Sequence, residues 1–210
     1  MRTEPAMKRV YAFFDGQNLF HHAKGAFGYP YPNYDPKKLA EHVCATHRWH
    51  LEAVHFYTGV PDVNDKPFWN HFWTAKMAVM GTRGVRTFSR PLRYRNQTVL
   101  SPGAGPVVAL VGQEKGIDVR IALDVVRYAL ENAYDVAVIF SQDQDLSEVV
   151  QDVKKISSLE ERWIKIASAF PVSAAISKPR GINGTDWIPI DRSTYDACLD
   201  PNDYRRKKTP

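Results

Sequence analysis

Two apolar runs of this sequence, residues 11–14 and 138–140, are each followed by acidic side chains. The first run leads into Asp15 and the second into Asp143. Ligand sites of open α/β folds lie at the carboxyl ends of the strands, so we expect these acids to meet at one edge of a parallel sheet. Clustered carboxylates repel one another, and such a cluster usually holds a hard divalent cation. The pattern therefore predicts a metal site.

Other polar residues extend the candidate site. Mg²⁺ keeps several water molecules, so a few carboxylates are enough to hold it. Such a metal can lower the pKa of a bound water and stabilise charge on phosphoryl oxygens. The candidate metal ligands are Asp15, Asp118 and Asp143. The full set of candidate catalytic residues is Asp15, Asn18, Asp118, Asp124, Asp143 and Asp145.

Helical spacing leaves alternatives open for three of these acids. At about 100° per residue, Asp118 and Asp124 would lie roughly 120° apart on one continuous helix. Both can face the site only if Asp118 precedes the helix. Otherwise one of the two is structural, for example with Asp118 as an N-cap. Asp145 either converges with Asp143 on a turn or caps the helix predicted from Leu146.

The composition is that of a soluble globular protein, with 44% hydrophobic and 24% charged residues among 210. This length is most simply one domain. No window approaches the roughly 20 apolar residues needed to span a bilayer, and the first residues lack the apolar run of a signal peptide. Cys44 and Cys198 form no CxxC pair. We therefore expect no disulfide framework and no zinc site, and a cytoplasmic location is the default.

Basic residues are concentrated in the segment 83–95. The formal net charge is +5 and the isoelectric point is about 9.1. The segment interleaves arginines, among them Arg95, with aromatic residues such as Phe88, a mixture that suits a phosphate backbone and stacked bases. The alternative is an ordinary exposed face of a basic protein. The candidate substrate-binding residues are Ser141, Arg83, Arg86, Arg90, Arg93 and Tyr94.

Predicted strands and helices alternate along the chain, without internal repeats. This alternation favours a parallel sheet with helices on both faces. Residues 93–111 contain a Pro-Gly-rich segment and suggest a hairpin or a flexible flap. Trp69 and Trp73 fit either a core or the face of a homodimer. Strands are predicted at 9–14, 51–57, 85–88, 135–141 and 163–167, and helices at 36–46, 66–80, from about 116, and at 146–156.

Several known kinds of site are absent from the sequence. There is no GxxxxGK[ST] phosphate-binding loop, and no GxGxxG follows the first strand. The histidines include no HExxH motif, and the pair His21 and His22 occupies an early helical position near the candidate site. Residues 15–17 superficially resemble the motif of haloacid dehalogenase-type phosphatases. Gln17, however, stands where that family has a second Asp.

Three blocks of the sequence together resemble the NYN domain, a branch of the PIN-like nuclease superfamily. The blocks are residues 13–18 (FFDGQN), 115–118 (KGID) with Asp124, and 141–146 (SQDQDL), and the resemblance covers about residues 10–190. Gln142 and Gln144 depart from the Gly that many members carry. The resemblance implies a PIN-like α/β fold, a three-layer α/β/α sandwich with a central, mostly parallel sheet. It also implies divalent-metal-dependent ribonuclease activity. It carries over Asp15, Asn18, Asp118, Asp124, Asp143 and Asp145 as site residues.

The resulting hypothesis is a cytoplasmic endoribonuclease that uses Mg²⁺ or Mn²⁺ and acts on single-stranded or structured RNA. Residues 8–192 would form the nuclease domain and residues 193–210 a basic C-terminal tail. The main alternative is a non-catalytic RNA-binding regulatory module of the same fold, and a nuclease acting on DNA is another. No membrane partner is expected, and self-association as a homodimer stays open.

Overall fold

The protein is described here as a computed structural model, which covers residues 2–101, 105–176 and 178–205. At its centre is a sheet of six parallel strands, β1 (Arg9–Asp15), β2 (His50–Val60), β3 (Arg86–Pro91), β6 (Val136–Phe140), β7 (Lys165–Pro171) and β8 (Asp186–Ile190). Their order across the sheet is β3-β2-β1-β6-β7-β8.

Helices cover both faces of this sheet. They are α1 (Gly16–Phe27), α2 (Pro36–His47), α3 (Pro67–Thr82), α4 (Ile117–Leu130), α5 (Ser147–Leu159) and α6 (Arg192–Ala197). One apolar cluster joins helices α1, α2, α3 and α6 to alternate strand residues such as Phe14 and Val138. The other joins α4 and α5 to Phe13 and Ile139, which point to the opposite face. The predicted three-layer α/β/α sandwich is therefore confirmed.

Local sequence signals explain where several elements begin. The Asp35 carboxylate accepts hydrogen bonds from the backbone N–H groups of Lys37 and Lys38, and Pro36 is the first residue of α2. This is the N-cap and first-position proline that the sequence predicts. Gly116 precedes α4 with a φ of 74°, a conformation that glycine adopts without steric cost. The helix then starts at Ile117, so Asp118 lies inside its first turn.

An antiparallel hairpin stands apart from the main sheet. Its strands, β4 (Arg93–Ser101) and β5 (Gly105–Gln113), pair in register from Arg93–Gln113 to the tip. The hairpin predicted for residues 93–111 is thus confirmed, although residues 102–104 of its Pro-Gly-rich segment lie outside the described residues. Near its base the Tyr94 ring lies across Gly112, where a Cβ would come within 2.9 Å of it. Glycine is therefore required opposite this ring.

The segment after α6 packs onto the domain through a buried lysine. The Lys76 ammonium donates to the backbone oxygen of Tyr34 at 2.8 Å and to the Asp200 carboxylate at 2.9 Å. Tyr195, Cys198 and Tyr204 are buried in the same core cluster. Residues 193–205, assigned from the sequence to a tail, thus include part of α6 and core side chains, and residues 206–210 lie outside the described residues.

The structure also describes the state of the two cysteines and the apolarity of the helices. Cys44 and Cys198 are both free and buried. Within the described ranges, no helix has the length and apolarity that crossing a bilayer requires.

Candidate active site

The junction between β1 and α1 positions the first acid. Asp15 is the N-cap of α1, and its side-chain oxygen accepts from the backbone N–H of Asn18 at 3.0 Å. The next residue, Gly16, lies so close to strand β2 that an added Cβ would stand 2.5 Å from the Phe56 ring. Glycine therefore allows the chain to turn from strand to helix against β2. Asp15 is held buried, with 4% exposure, at the carboxyl edge of the sheet.

A short hydrogen-bond network joins this junction to the end of β6. The Asn18 side-chain oxygen accepts from the backbone N–H of Gln142 at 2.9 Å. The Ser141 hydroxyl lies 3.5 Å from the Asp15 carboxylate and accepts from the backbone N–H of Asp143 at 3.1 Å. Asn18 and Ser141 therefore fix the strand ends that carry Asp15 and Asp143. The structure brings these four predicted residues together.

Glu114 is a third carboxylate of this site, and it is not among the residues predicted from the sequence. It follows β5 directly, accepts a hydrogen bond from the Gly59 backbone N–H, and lines the same cleft as Asp15 and Asp143. Its position immediately before the KGID block was the available signal. That position alone does not predict a site residue, because Glu114 is brought to this edge by a strand of the hairpin and not by a strand of the main sheet.

Burial and mutual repulsion act on these acids. Burial raises the pKa of Asp15 to about 6, with the charges of Asp143 and Asp118 acting in the same direction and the hydrogen bonds from Asn18 and Ser141 acting against it. Burial also raises the pKa of Glu114 to about 7, with the charges of Asp15 and Asp118 acting in the same direction. The site thus concentrates negative charge that a cation would stabilise.

Within the part of the chain that the structure describes, the buried Asp15 and the half-buried Glu114 differ from the buried carboxylates elsewhere, because they have no cationic partner. Among the described residues, neither Asp15 nor Glu114 forms an ion pair with a lysine, arginine or histidine. Buried carboxylates elsewhere do have such partners, because an unpaired buried charge is costly. These pairs are Asp35–Arg83 at 2.7 Å, Asp124–Arg120 at 2.8 Å, Asp135–Arg9 at 2.9 Å and Asp200–Lys76 at 2.9 Å. At the site, the described protein supplies no such balancing charge.

Asp118 and Asp145 lie beside the cleft rather than in its lining. Both border a groove between α4 and α5, while the charge of Asp118 still raises the pKa values of Asp15 and Glu114. Asp145 is exposed, and its backbone N–H donates to Asp143 at 3.0 Å. Asp143, not Asp145, therefore caps the short 3-10 turn before α5.

Asp124 is not brought to this cluster. Its carboxylate forms a two-point contact with Arg120 at 2.8 and 2.9 Å, a contact with Arg127 at 3.0 Å, and accepts from the Tyr57 hydroxyl at 2.9 Å. Because Asp118 and Asp124 belong to one continuous helix, they point in different directions, as the spacing argument requires. These contacts hold the Asp124 carboxylate between α4 and Tyr57 of β2.

The predicted basic segment divides into different environments. Arg83 is bound to Asp35 and Asp200 and is not brought to the cleft. Arg90 and Arg120 flank the Phe88 ring at 5.6 and 5.2 Å. Arg86, Arg93 and Arg95 are exposed. The Tyr94 hydroxyl accepts from the backbone N–H of Asp62 at 3.0 Å, which fastens the hairpin base to the neighbouring loop.

The carboxylates lie at one end of a cleft of about 570 Å³, within the size range of small-molecule sites. Trp69 lines this cleft and Trp73 is 2% exposed at its floor. Trp73 is therefore a core residue, whereas Trp69 is only partly buried and faces the cleft. The lining residues are Asp15, Gln17, Asn18, Phe20, His21, Lys24, Pro30, Pro61, Lys66, Trp69, Trp73, Leu92, Gly112, Glu114 and Asp143.

The charged oxygen ligands that the cleft can offer to a divalent cation are its carboxylates. In residues 2–101, 105–176 and 178–205, no three His, Cys, Asp or Glu side chains converge closely enough to hold a metal ion together. Mg²⁺, however, is commonly bound through one or two carboxylates and several waters. Asp15, Asp143 and Glu114 provide unpaired carboxylates in one cleft, and this chemistry fits a hydrated divalent cation.

A central parallel sheet between helical layers, with acids at the carboxyl edge, defines an α/β/α protein with an acidic site at that edge. The family model of the NYN domain matches residues 9–159. The chain therefore belongs to the NYN domain family, which confirms the resemblance seen in the sequence. Membership indicates nuclease activity in general terms.

Solved structures provide a comparison of fold. A protein of unknown function from Vibrio parahaemolyticus, VPA0982, is 16% identical, with a TM-score of 0.52, over 90% of this chain and 97% of that chain. At this identity the likeness supports the fold alone. MurG of Acinetobacter baumannii has a TM-score of 0.33 at 9% identity, over 87% of this chain and 45% of that chain, which carries no argument. No curated protein matches the chain.

Proposed function

We propose that this protein is an endoribonuclease that depends on Mg²⁺ or Mn²⁺ and hydrolyses RNA phosphodiester bonds. One observation carries the proposal. Asp15, Glu114 and Asp143 line one cleft without a cationic partner among the described residues, whereas buried carboxylates elsewhere in the fold are ion-paired. Membership of the NYN domain family supports the reaction class.

The residues divide into ligands and positioning groups. Asp15 and Asp143 are the central metal ligands, and Glu114 is added to them. Asn18 and Ser141 hold the two strand ends, while Asp118 and Asp145 extend the negative field beside the cleft. A bound divalent cation would supply an activated water and would stabilise charge on the phosphoryl oxygens. Asp124, ion-paired under the sheet, is given a structural role in this proposal.

The RNA backbone would follow basic side chains near the cleft. Of the predicted arginines, Arg90 is the best placed to bind a phosphate, because its guanidinium lies against Gly116 at the start of α4. A Cβ added at Gly116 would come within 2.6 Å of this guanidinium. Arg93 and Arg86 are exposed and free to meet phosphates. We also infer a cytoplasmic setting, which two free, buried cysteines support.

Cleavage of a mixed-sequence single-stranded RNA tests the proposal. Wild type and Asp143→Ala are compared with Mn²⁺, with Mg²⁺ and with EDTA. We expect metal-dependent cutting by the wild type and a loss of at least about 100-fold in the variant, because a ligand carboxylate is removed. Glu52→Ala is the matched control, since it removes an exposed carboxylate from the opposite end of β2.

Two outcomes would contradict the proposal. RNA binding without cutting, in every metal condition, would favour the non-catalytic binding module. Equal cutting by wild type and Asp143→Ala would show that the reaction does not take place at this carboxylate cluster. A DNA strand of the same sequence, tested in parallel, separates the ribonuclease from a nuclease acting on DNA.

A further inference from the structure

The cleft continues beyond its carboxylates into a part of different chemistry. Besides the carboxylates, the cleft is lined by Phe20, His21 and Lys24 of α1 and by Lys66 and Trp69 at the start of α3. Because α1 begins at Asp15 and rises about 1.5 Å per residue, Lys24 lies roughly 13 Å along the helix axis from that acid. One end of the cleft is thus acidic, and the other combines cations with aromatic rings. This pairing matches the two parts of a nucleotide, an anionic phosphate and a flat base.

The Trp69 ring is held in place by its neighbours. Its centroid lies 5.1 Å from Phe68 and 5.5 Å from Phe72, both edge-on, and 6.2 Å from Phe20. The ring is only partly buried, so the part that these neighbours leave uncovered borders the cleft. A ring fixed in this way can stack on a base with little loss of side-chain entropy.

The two lysines have charges that the described protein does not neutralise. Lys24 lies in the last turn of α1 and Lys66 immediately before α3, and both are exposed. Within the described residues neither ammonium group forms an ion pair. Lysines of this kind bind phosphates as point charges, and they also offset the repulsion between the acidic end of the cleft and an RNA chain.

We propose that the far end of the cleft is a nucleotide subsite, in which one unpaired base stacks on Trp69 while Lys24 and Lys66 bind the adjoining phosphate. This inference rests on the proposed function and specifies its substrate. A base must leave its helical stack to enter a cleft of about 570 Å³. The substrate is therefore RNA with an unpaired base at the cut, and a duplex of the same sequence should bind more weakly because it must first unpair and unstack that base.

Binding without cleavage tests the lysines. The affinity of a labelled single-stranded RNA is measured by fluorescence anisotropy in EDTA at several salt concentrations. Lys24→Ala and Lys66→Ala should each weaken binding several-fold and reduce the slope of log affinity against log salt by about 0.7, the value for one phosphate contact on a single strand. Lys38→Ala, an exposed helical lysine outside the cleft, is the matched control and should leave the slope unchanged.

The aromatic contact is tested from both the protein and the RNA. Trp69→Leu keeps an apolar side chain and should weaken single-strand binding on the order of 10-fold, as expected for one lost stacking contact. A series of RNAs with one abasic nucleotide moved along the strand should show one position at which binding falls by a similar factor. That penalty should disappear in Trp69→Leu.

The results separate this inference from the function on which it rests. If the wild type cuts RNA but the Lys24, Lys66 and Lys38 variants bind alike, the subsite is overturned and the nuclease stands. Equal affinity for single-stranded and duplex RNA would also overturn the subsite. If the wild type cuts nothing while single-strand preference and lysine effects are found, the proposed function fails and the nucleotide site remains. Because binding is measured in EDTA, each result is informative without catalysis.

Discussion

At the scale of single residues, the two glutamines that depart from the family pattern have a visible role. Gln144 donates to the backbone oxygen of Gly181 at 3.0 Å and accepts from the backbone N–H of Asn183 at 3.2 Å. Gln142 donates to the backbone oxygen of Arg180. A glycine at either position would lack these hydrogen bonds. The two glutamine amides therefore hold the connection between β7 and β8 beside the site.

The raised pKa of Glu114 predicts how stability changes with pH when no metal is present. A carboxyl with a pKa of 4.5 in the unfolded chain and about 7 in the fold binds its proton more tightly when folded. Stability should therefore fall as pH rises from 4.5 to 7, by an amount on the order of 1–3 kcal/mol. Glu114→Gln should remove most of this loss, as measured by urea unfolding in EDTA between pH 4.5 and 8. Glu52→Gln is the control, and a loss equal to that of wild type in Glu114→Gln would refute the assignment.

Metal binding should be visible in the melting temperature. Mn²⁺ at about 100 times its dissociation constant should stabilise the fold by about 2.7 kcal/mol, which raises the Tm by roughly 5–10 °C for a chain of this size. The rise should be smaller at pH 5.5 than at pH 8, because Asp15, with a pKa of about 6, is then largely protonated. Asp15→Asn preserves the N-cap and should abolish the rise. A Tm that Mn²⁺ leaves unchanged at pH 8 would exclude the proposed ligands.

The candidate site was only partly predictable from sequence. The positions of Asp15 and Asp143 were predictable, because acids that follow buried parallel strands must lie at the sheet's carboxyl edge. The position of Arg83 was not predictable, because clustering along the chain does not reveal an ion-pair partner such as Asp35, 48 residues away in sequence. Glu114 depends on the return path of a hairpin, which local sequence patterns do not specify.

At the scale of elements, the sequence predicted long and regular segments and missed short ones. The central strands and helices α2 to α5 were predicted within a few residues, since their apolar periodicity and caps agree. Strand β8 was missed because Pro189 lies inside it. Proline is tolerated there because β8 is the edge of the sheet. Helix α6 has only six residues, too few for a periodic pattern.

Strand β2 carries a buried histidine that should make the fold sensitive to acid. His55 stacks on Tyr11 at 5.5 Å and Phe13 at 5.3 Å, and its Nε2 has no hydrogen-bond partner among the residues that the structure describes. Burial lowers its pKa to about 4, with the positive charge of Arg86 acting in the same direction. The unfolded state therefore takes up the proton first, and stability should decline as pH falls below about 6.5.

Replacing this histidine tests the effect. His55→Phe keeps a ring in the same stack, and it should reduce the loss of stability between pH 6.5 and 4 by on the order of 1–3 kcal/mol. Thermal unfolding at several pH values measures the change, and His42→Phe, at an exposed position of α2, is the comparison. An unaltered pH profile in His55→Phe would show that other groups cause the acid sensitivity.

At the scale of the whole molecule, one ion pair joins the end of the described chain to its core. The Lys76 side chain is fully buried and its partner Asp200 is 2% exposed. Lys76→Met should destabilise the protein by about 3–5 kcal/mol, because it removes the closest cation from the buried Asp200 carboxylate and leaves Arg83 at the longer distance of 3.6 Å. Urea unfolding measures this loss, and the double variant Lys76→Met with Asp200→Asn should recover part of it. A loss below about 1 kcal/mol would show that the pair contributes little.

The strand order of the sheet also determines when the fold can form during synthesis. Strand β1 is made first but occupies the middle of the sheet, and its partner β6 follows much later, as the 126-residue separation of Arg9 and Asp135 shows. At roughly 5–20 residues per second, a ribosome needs about 6–25 seconds to cover that distance. Throughout this interval one edge of an apolar strand, with Phe13 and Phe14 at its end, has nothing to pair with. The nascent chain should therefore depend on chaperones more than a protein whose neighbouring strands are consecutive.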